Sequence, residues 1–263
     1  PMQTALSWRT NRDLFSNHYL SKRLPKTEAW DAVDNEELQE ARDRIAELYH
    51  RESDQVEQYN EAQLSSHLLE PVLKLLDIEF ETEETVSRSR RRPDYAFFRS
   101  ESDRRDAFDV RDQGEDFYRN AISVADAKEW GRPLDKKGGN EYEYSNPSYQ
   151  IHAYLQQTPP QWGVVTNGQK WRLYYGPTSG KLDSYYEIDM PTLLAEGGVE
   201  EFKFFYLFFR REAFIEDTRE ECFLDRVYEG SNDFAQELGG EVQENVYEAI
   251  RVMAEGFLKY PKN

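Results

Sequence analysis

Apolar positions early in the chain recur at helical spacing. Leu38, Ala41, Ile45, Leu48 and Tyr49 form one stripe through a charged segment, and residues 1 to 53 are polar and helical in tendency. Asn60, with Gln63 three positions on, is a capping-box pattern that opens a second helix, carried by Leu64, Leu68 and Leu69. Pro71 interrupts it, and Val72 to Leu76 continue as a further short turn. After Asp77 the period changes. Phe80 to Val86, Pro93 to Phe98 and Ile122 to Ala127 read as strands, the last one central, with a charged loop and a short helix over 99–120. Pro147 to Gln157 reads as a helix. Trp162–Thr166 and Gln169–Tyr175 flank Asn167-Gly168, a strong hairpin signal, and residues 185–190 add an edge strand. The run from Phe202 to Phe209 is apolar all round, which predicts a helix buried on most faces. Val242, Val246, Ile250, Met253 and Phe257 then share one face of a last helix, which either docks a further domain or packs on this one.

Strands followed by a helix, a hairpin and more helices read as an α/β chain. The chain has 263 residues, 38% of them hydrophobic, enough for one domain with a packed core and embellishments. Cys222 is the single cysteine, which excludes a disulfide framework and a cysteine zinc site. His18, His50, His67 and His152 show no ligand spacing. No apolar run reaches the length of a membrane span and no secretory leader precedes the polar start, so an intracellular, cytoplasmic setting without membrane contact is expected.

The formal net charge of −18 argues against nucleic acid as a partner, because an acidic protein repels it at long range. Two features oppose that argument. Arg88, Arg90, Arg91 and Arg92 cluster on one side of Asp94, and Lys128, Arg132, Lys136 and Lys137 follow Asp126. The acids are also spread along the whole chain, and arginines number 22 against 11 lysines, as in salt-adapted proteins. At high ionic strength such repulsion is screened within a few ångströms. A halophilic source is expected on this ground, and a stability optimum at low salt would argue against it.

The residues that carry chemistry lie in order along the chain. Glu61 stands in the first turn of its helix, where an acid either simply answers the helix dipole or turns toward a site. Asp94 opens one strand, and Asp126 and Lys128 end another, two apart and on one face, about 7 Å along the strand. Gln150 and Tyr154 are i and i+4 on the next helix. Carboxylate oxygens suit a hard divalent cation, and a lysine beside them stabilises developing negative charge, so the set is sufficient for metal-assisted phosphodiester hydrolysis. The same residues also read as a buried ion-pair cluster without turnover. Gly131–Ser145 is polar and glycine-containing, a candidate mobile segment. Asn146-Pro147-Ser148-Tyr149 echoes an amino-methyltransferase motif but lacks its second proline and any preceding glycine-rich loop, and reads as a helix cap.

In this order Pro93-Asp94 and Asp126-Ala127-Lys128 resemble the motif of the PD-(D/E)xK nuclease superfamily. The stretches 59–81, 91–98 with 124–135, and 146–176 are similar to the amino-terminal nuclease region of type I restriction subunits and of fused type IIG restriction–modification enzymes, and the aromatic run 200–214 looks like theirs. The resemblance implies a restriction-endonuclease-like mixed sheet flanked by helices. It implies a nuclease domain over 54–215, a helical extension over 1–53, and a helical segment over 216–263 leading to a further domain. It implies Mg²⁺, with Mn²⁺ as substitute, held by Asp94 and Asp126 with Glu61 assisting. Lys128 and Gln150 complete the catalytic set, Tyr154 supports it, and the clustered arginines and lysines bind DNA. The implied partners are double-stranded DNA, methyltransferase and specificity domains in the same or a partner chain, and a transient second copy. A non-catalytic binding or assembly module on the same fold, and a stand-alone repair or resolvase-type nuclease, remain as alternatives.

Overall fold

The β-favouring runs pair into one sheet. The computed structural model describes residues 7–82, 92–110, 116–137 and 140–259, and its seven strands lie in the order β1-β7-β6-β5-β4-β3-β2. These are β1 Arg9–Arg12, β2 Glu79–Thr82, β3 Tyr95–Phe98, β4 Ala121–Ala127, β5 Trp162–Thr166, β6 Lys170–Tyr175 and β7 Tyr185–Asp189. Among them β4 and β5 run parallel and every other neighbouring pair is antiparallel. The helices are α1 Glu28–Asp31, α2 Asn35–Glu52, α3 Glu61–Leu64, α4 Glu70–Leu75, α5 Glu101–Asp109, α6 Pro147–Gln157, α7 Met190–Glu196, α8 Val199–Phe209 and α9 Phe223–Lys259. None of the described helices is long and apolar enough to cross a membrane.

Side chains alternate across the sheet, so two cores form. On one face Tyr95, Phe97, Ala125, Val164, Trp171, Leu173 and Ile188 pack with Leu38 and Ile45 of α2, Phe202 and Phe205 of α8, and Leu224 of α9. On the other, Ala96, Phe98, Val124, Val165 and Tyr174 pack with Ala107 of α5 and with Ile151, Tyr154 and Leu155 of α6. Asp94 and Asp126 share the parity of Ala96 and Val124, which puts both on the α6 side.

Several elements sit as expected. α2 buries its stripe, Asn60 and Gln63 exchange both capping-box bonds, β4 is interior, and α8 is buried through Phe202, Phe205, Tyr206, Phe208 and Phe209. Others differ. The N-terminal stretch, expected to be helical, opens with β1, whose polar sequence alternates half-buried and exposed positions. β1 covers β7 by pairing Arg9 with Ile188, so the strand expected at the edge is interior. Of the strand expected over 80–86, Glu79–Thr82 is formed, and 83–86 lie outside the described residues. Ser65–Leu69 widen into a π turn before α4. Pro71 has no N–H for the carbonyl four residues back, and its ring crowds that carbonyl, so the helix opens there rather than stopping. In the second half of α9 the described stripe residues Val246, Ile250 and Met253 are 52%, 55% and 57% exposed, so they do not pack on this domain. The side chains of Val242 and Phe257 lie outside the described residues.

The β5–β6 turn is shifted one residue along from the Asn167-Gly168 pair that the sequence suggests. Asn167 N–H bonds Lys170 O at 3.3 Å, which leaves Gly168 and Gln169 as the two central residues. Gly168 has φ +79°, as the first central position of a type II′ turn requires. A β-carbon there would stand 2.9 Å from Trp130 and 3.1 Å from Leu64. Gly168→Ala is therefore expected to lower stability by about 2 kcal/mol, from backbone strain and crowding together. Urea unfolding of the variant against the native chain checks this.

Candidate functional site

The parallel pair fixes where a site can form. α6 lies in the connection from β4 to β5 and packs on both, and the carboxyl ends of such strands are where ligands gather in α/β sheets. Asp126 is the penultimate residue of β4. Lys128 N–H donates to Thr166 O at 2.8 Å, which carries the strand direction past Ala127 and keeps the lysine on the face of Asp126.

β3 approaches from the other side. Tyr95 pairs with Ala125, so Asp94 falls opposite Asp126. Pro93 offers no N–H to a ladder. The Asp94 side chain also takes the facing donor: its Oδ2 accepts the Ala127 N–H at 2.7 Å. With the Ala127 N–H held by this side chain and no N–H on Pro93, the strand begins at Tyr95 and not at the expected Pro93.

Lys128 and Asp126 are 5% and 2% exposed. The lysine ammonium ion-pairs with Asp126 Oδ2 and donates to the Ala127 carbonyl at 2.8 Å. Beyond that ion pair, Oδ2 has no hydrogen bond. Burial pushes the Asp126 carboxyl above the ordinary range, and the Asp94 charge adds to the rise; Lys128 pulls part of it back, and Glu61 adds a little. One ammonium does not compensate the acids gathered here. Glu61 stands at the rim, its carboxyl also raised by burial, then lowered by Lys128 and raised by Asp94. It does not complete a cage: among the described residues no three His, Cys, Asp or Glu side chains converge as metal ligands.

α6 supplies the far wall. Asn146 caps it by accepting the Ser148 N–H at 3.3 Å, with Pro147 in the first turn, so the motif echo is a helix cap. Tyr154 is buried, and its phenol is raised by burial first, then by the charges of Asp126 and Asp94. Gln150 Oε1 is buried without a hydrogen-bond partner.

The basic residues are less uniform. Arg88, Arg90 and Arg91 lie outside the described residues. Arg92 is half-buried directly before the Pro93-Asp94 pair. Arg132 is exposed and bonds Ser145 O at 3.3 Å; Lys137 is exposed; Lys136 pairs with Glu143 at 3.5 Å. Glu129, Asp135, Glu141 and Glu143 are interleaved with these bases, so the local charge is mixed.

One cluster escaped sequence reasoning. Arg172, 4% exposed, contacts Glu187 at 2.6 Å and Asp135 at 3.2 Å, reaches the Tyr174 hydroxyl at 3.2 Å, and lies 3.7 Å over the Tyr185 ring. Ser148 Oγ bonds both Tyr174 Oη at 2.7 Å and Leu134 O at 2.8 Å. The cluster thus pins the loop before α6 and the helix start two residues from Gln150, so the described part of a segment expected to be mobile is anchored. The available signal was an arginine and a glutamate at core-parity positions of two β strands.

Removing one member of a buried ion pair leaves the other uncompensated. Lys128→Met is expected to cost about 3 kcal/mol, most of it recovered in Asp126→Asn/Lys128→Met. The pH dependence has the reverse of the usual carboxylate sign. Because the folded-state pKa of Asp126 exceeds the unfolded one, its contribution is complete below pH ~3.9 and is lost as pH rises through the raised value. Urea midpoints of the metal-free protein across pH, with Asp126→Asn losing that slope, check both.

No protein-family model, curated protein or solved structure matches the chain.

Proposed function

We propose that this chain is a metal-dependent DNA endonuclease of the restriction–modification type, with its mixed sheet a restriction-endonuclease-like one. The observation that carries the reading is the meeting of Asp94 and Asp126, from adjacent strands, with buried Lys128 at a point short of positive charge.

The donors at hand fit a hard cation. Asp94 and Asp126 would hold Mg²⁺ or Mn²⁺, with the Ala127 carbonyl and the unpartnered Gln150 Oε1 as further oxygens and Glu61 at the rim. When bound, such a cation supplies charge neutralisation at phosphorus and a water of lowered pKa. The chain's own groups do the rest. Asp94 is held in orientation by the Ala127 amide. Lys128 donates its ammonium protons to a non-bridging phosphate oxygen or to the attacking water. Tyr154 closes the wall behind Asp126 and keeps bulk water from it. Arg92, Arg132, Lys136 and Lys137 would contact the backbone phosphates of double-stranded DNA. Methylation and specificity modules, in the same or a partner chain, and a second copy for the opposite strand belong to the same reading, as does a cytoplasmic setting.

One observation favours a non-catalytic binding or assembly module instead: Lys128 already neutralises Asp126 in part, and no third acid completes a cage among the described residues. Such a module shows no Mg²⁺- or Mn²⁺-linked rise in melting temperature that Asp94→Ala abolishes.

The intact full-length enzyme, incubated with plasmid and Mg²⁺ or Mn²⁺ at high salt, is expected to nick or linearise it. Asp126→Ala and Lys128→Ala should each slow cleavage by about 10²-fold or more. Undiminished cleavage by Asp126→Ala, or none by the full-length enzyme, overturns the proposal.

A further inference from the structure

The loop leading into α6 carries an aromatic group that the chemistry above does not use. The Tyr142 ring stands edge-to-face on Tyr149, with centroids 5.9 Å apart at 82°, and Tyr144 meets the same ring at 5.3 Å and 76°. His152 adds a fourth ring, 6.1 Å from Tyr149 and held through its Nδ1 by Ser179 Oγ at 2.8 Å. The group begins at the surface, where Tyr142 is 60% exposed. It lies on the connection that leads from Asp126 at the end of β4 into α6, where Tyr149 directly precedes Gln150.

The loop is also held in place. Asn146, 1% exposed, accepts the Lys136 N–H at 3.1 Å and donates to the Glu141 carbonyl at 2.6 Å, tying both arms of the loop to the cap of α6. Arg132 spans to Ser145 O at 3.3 Å, which brings its guanidinium to the backbone next to Tyr144. Exposed, preorganised rings with cations alongside are what unpaired bases need: each base has a face to stack on, and its phosphate meets the cation. Bases within a duplex are already stacked on one another and offer these rings no face.

We infer that Tyr142, Tyr144 and Tyr149 form a stacking wall for unpaired nucleobases, so that double-stranded DNA bound beside Asp94 and Asp126 is locally opened there. The inference rests on the nuclease reading and specifies its substrate class. Tyr142 is the residue to change, because its ring is largely exposed and its removal leaves both cores intact.

The test is fluorescence anisotropy at one fixed salt concentration, with Ca²⁺ present and the full-length protein titrated into labelled single-stranded, blunt duplex and bubble-containing DNA. The native protein is expected to bind the single strand and the bubble more tightly than the duplex. Tyr142→Leu should weaken those two by about tenfold and leave duplex binding unchanged, and Tyr142→Phe should restore them. If DNA is bound but Tyr142→Leu weakens all three forms equally, or none, the stacking wall is overturned and the nuclease reading stands. If no DNA of any form is bound, the nuclease reading falls and the wall falls with it.

Discussion

The Asp94 carboxylate accepts the Ala127 amide N–H at the end of β4, and the site depends on that one bond. It fixes the start of β3 against the end of β4 and sets two acids across from each other on the α6 face. The arrangement is costly by itself, because like charges on buried carboxyls oppose ionisation. Lys128 relieves part of it, and the Asp126 carboxyl stays raised by burial and by the Asp94 charge. On the proposed reading, a divalent cation would compensate it.

The surroundings keep this point rigid and half-open. The buried Arg172–Glu187 pair holds Asp135, and the Tyr174–Ser148 hydrogen bond holds the start of α6, so the wall carrying Gln150 and Tyr154 does not depend on a loop alone. On the opposite face Tyr49 bonds the Gly168 carbonyl at 2.6 Å, and the β5–β6 turn packs against Leu64, Leu68 and Trp130. A net charge of −18 hinders approach by a polyanion at low salt, and the interleaved acids near Lys136 do not reverse that locally. Screening and a local cation, not a broad basic surface, are how this chain would admit a phosphodiester.

Much of this was legible in the sequence because short-range rules govern it. Runs of β-branched and aromatic residues and the Asn-Gly signal located β3 to β7, the Asn60–Gln63 box located α3, and the two-residue spacing of Asp126 and Lys128 put that pair on one face. What was not legible depends on long-range pairing. β1 is polar, and only its docking on β7 makes it a strand. The π turn at Ser65–Leu69 follows from Pro71 inside a helix that tertiary packing continues. Arg172 could not be placed until Glu187 and Asp135 were brought to it by strand register and loop path. The loop before α6 looked free because its anchor, Asn146, read only as a cap.

Binding of Mn²⁺ to the purified full-length protein, followed by the loss of its free electron paramagnetic resonance signal, tests the central claim most directly. Saturable binding that Asp94→Asn or Asp126→Asn removes, while both variants keep the native unfolding transition, is the result expected. Binding that is absent from the native protein, or that survives both substitutions, would contradict it.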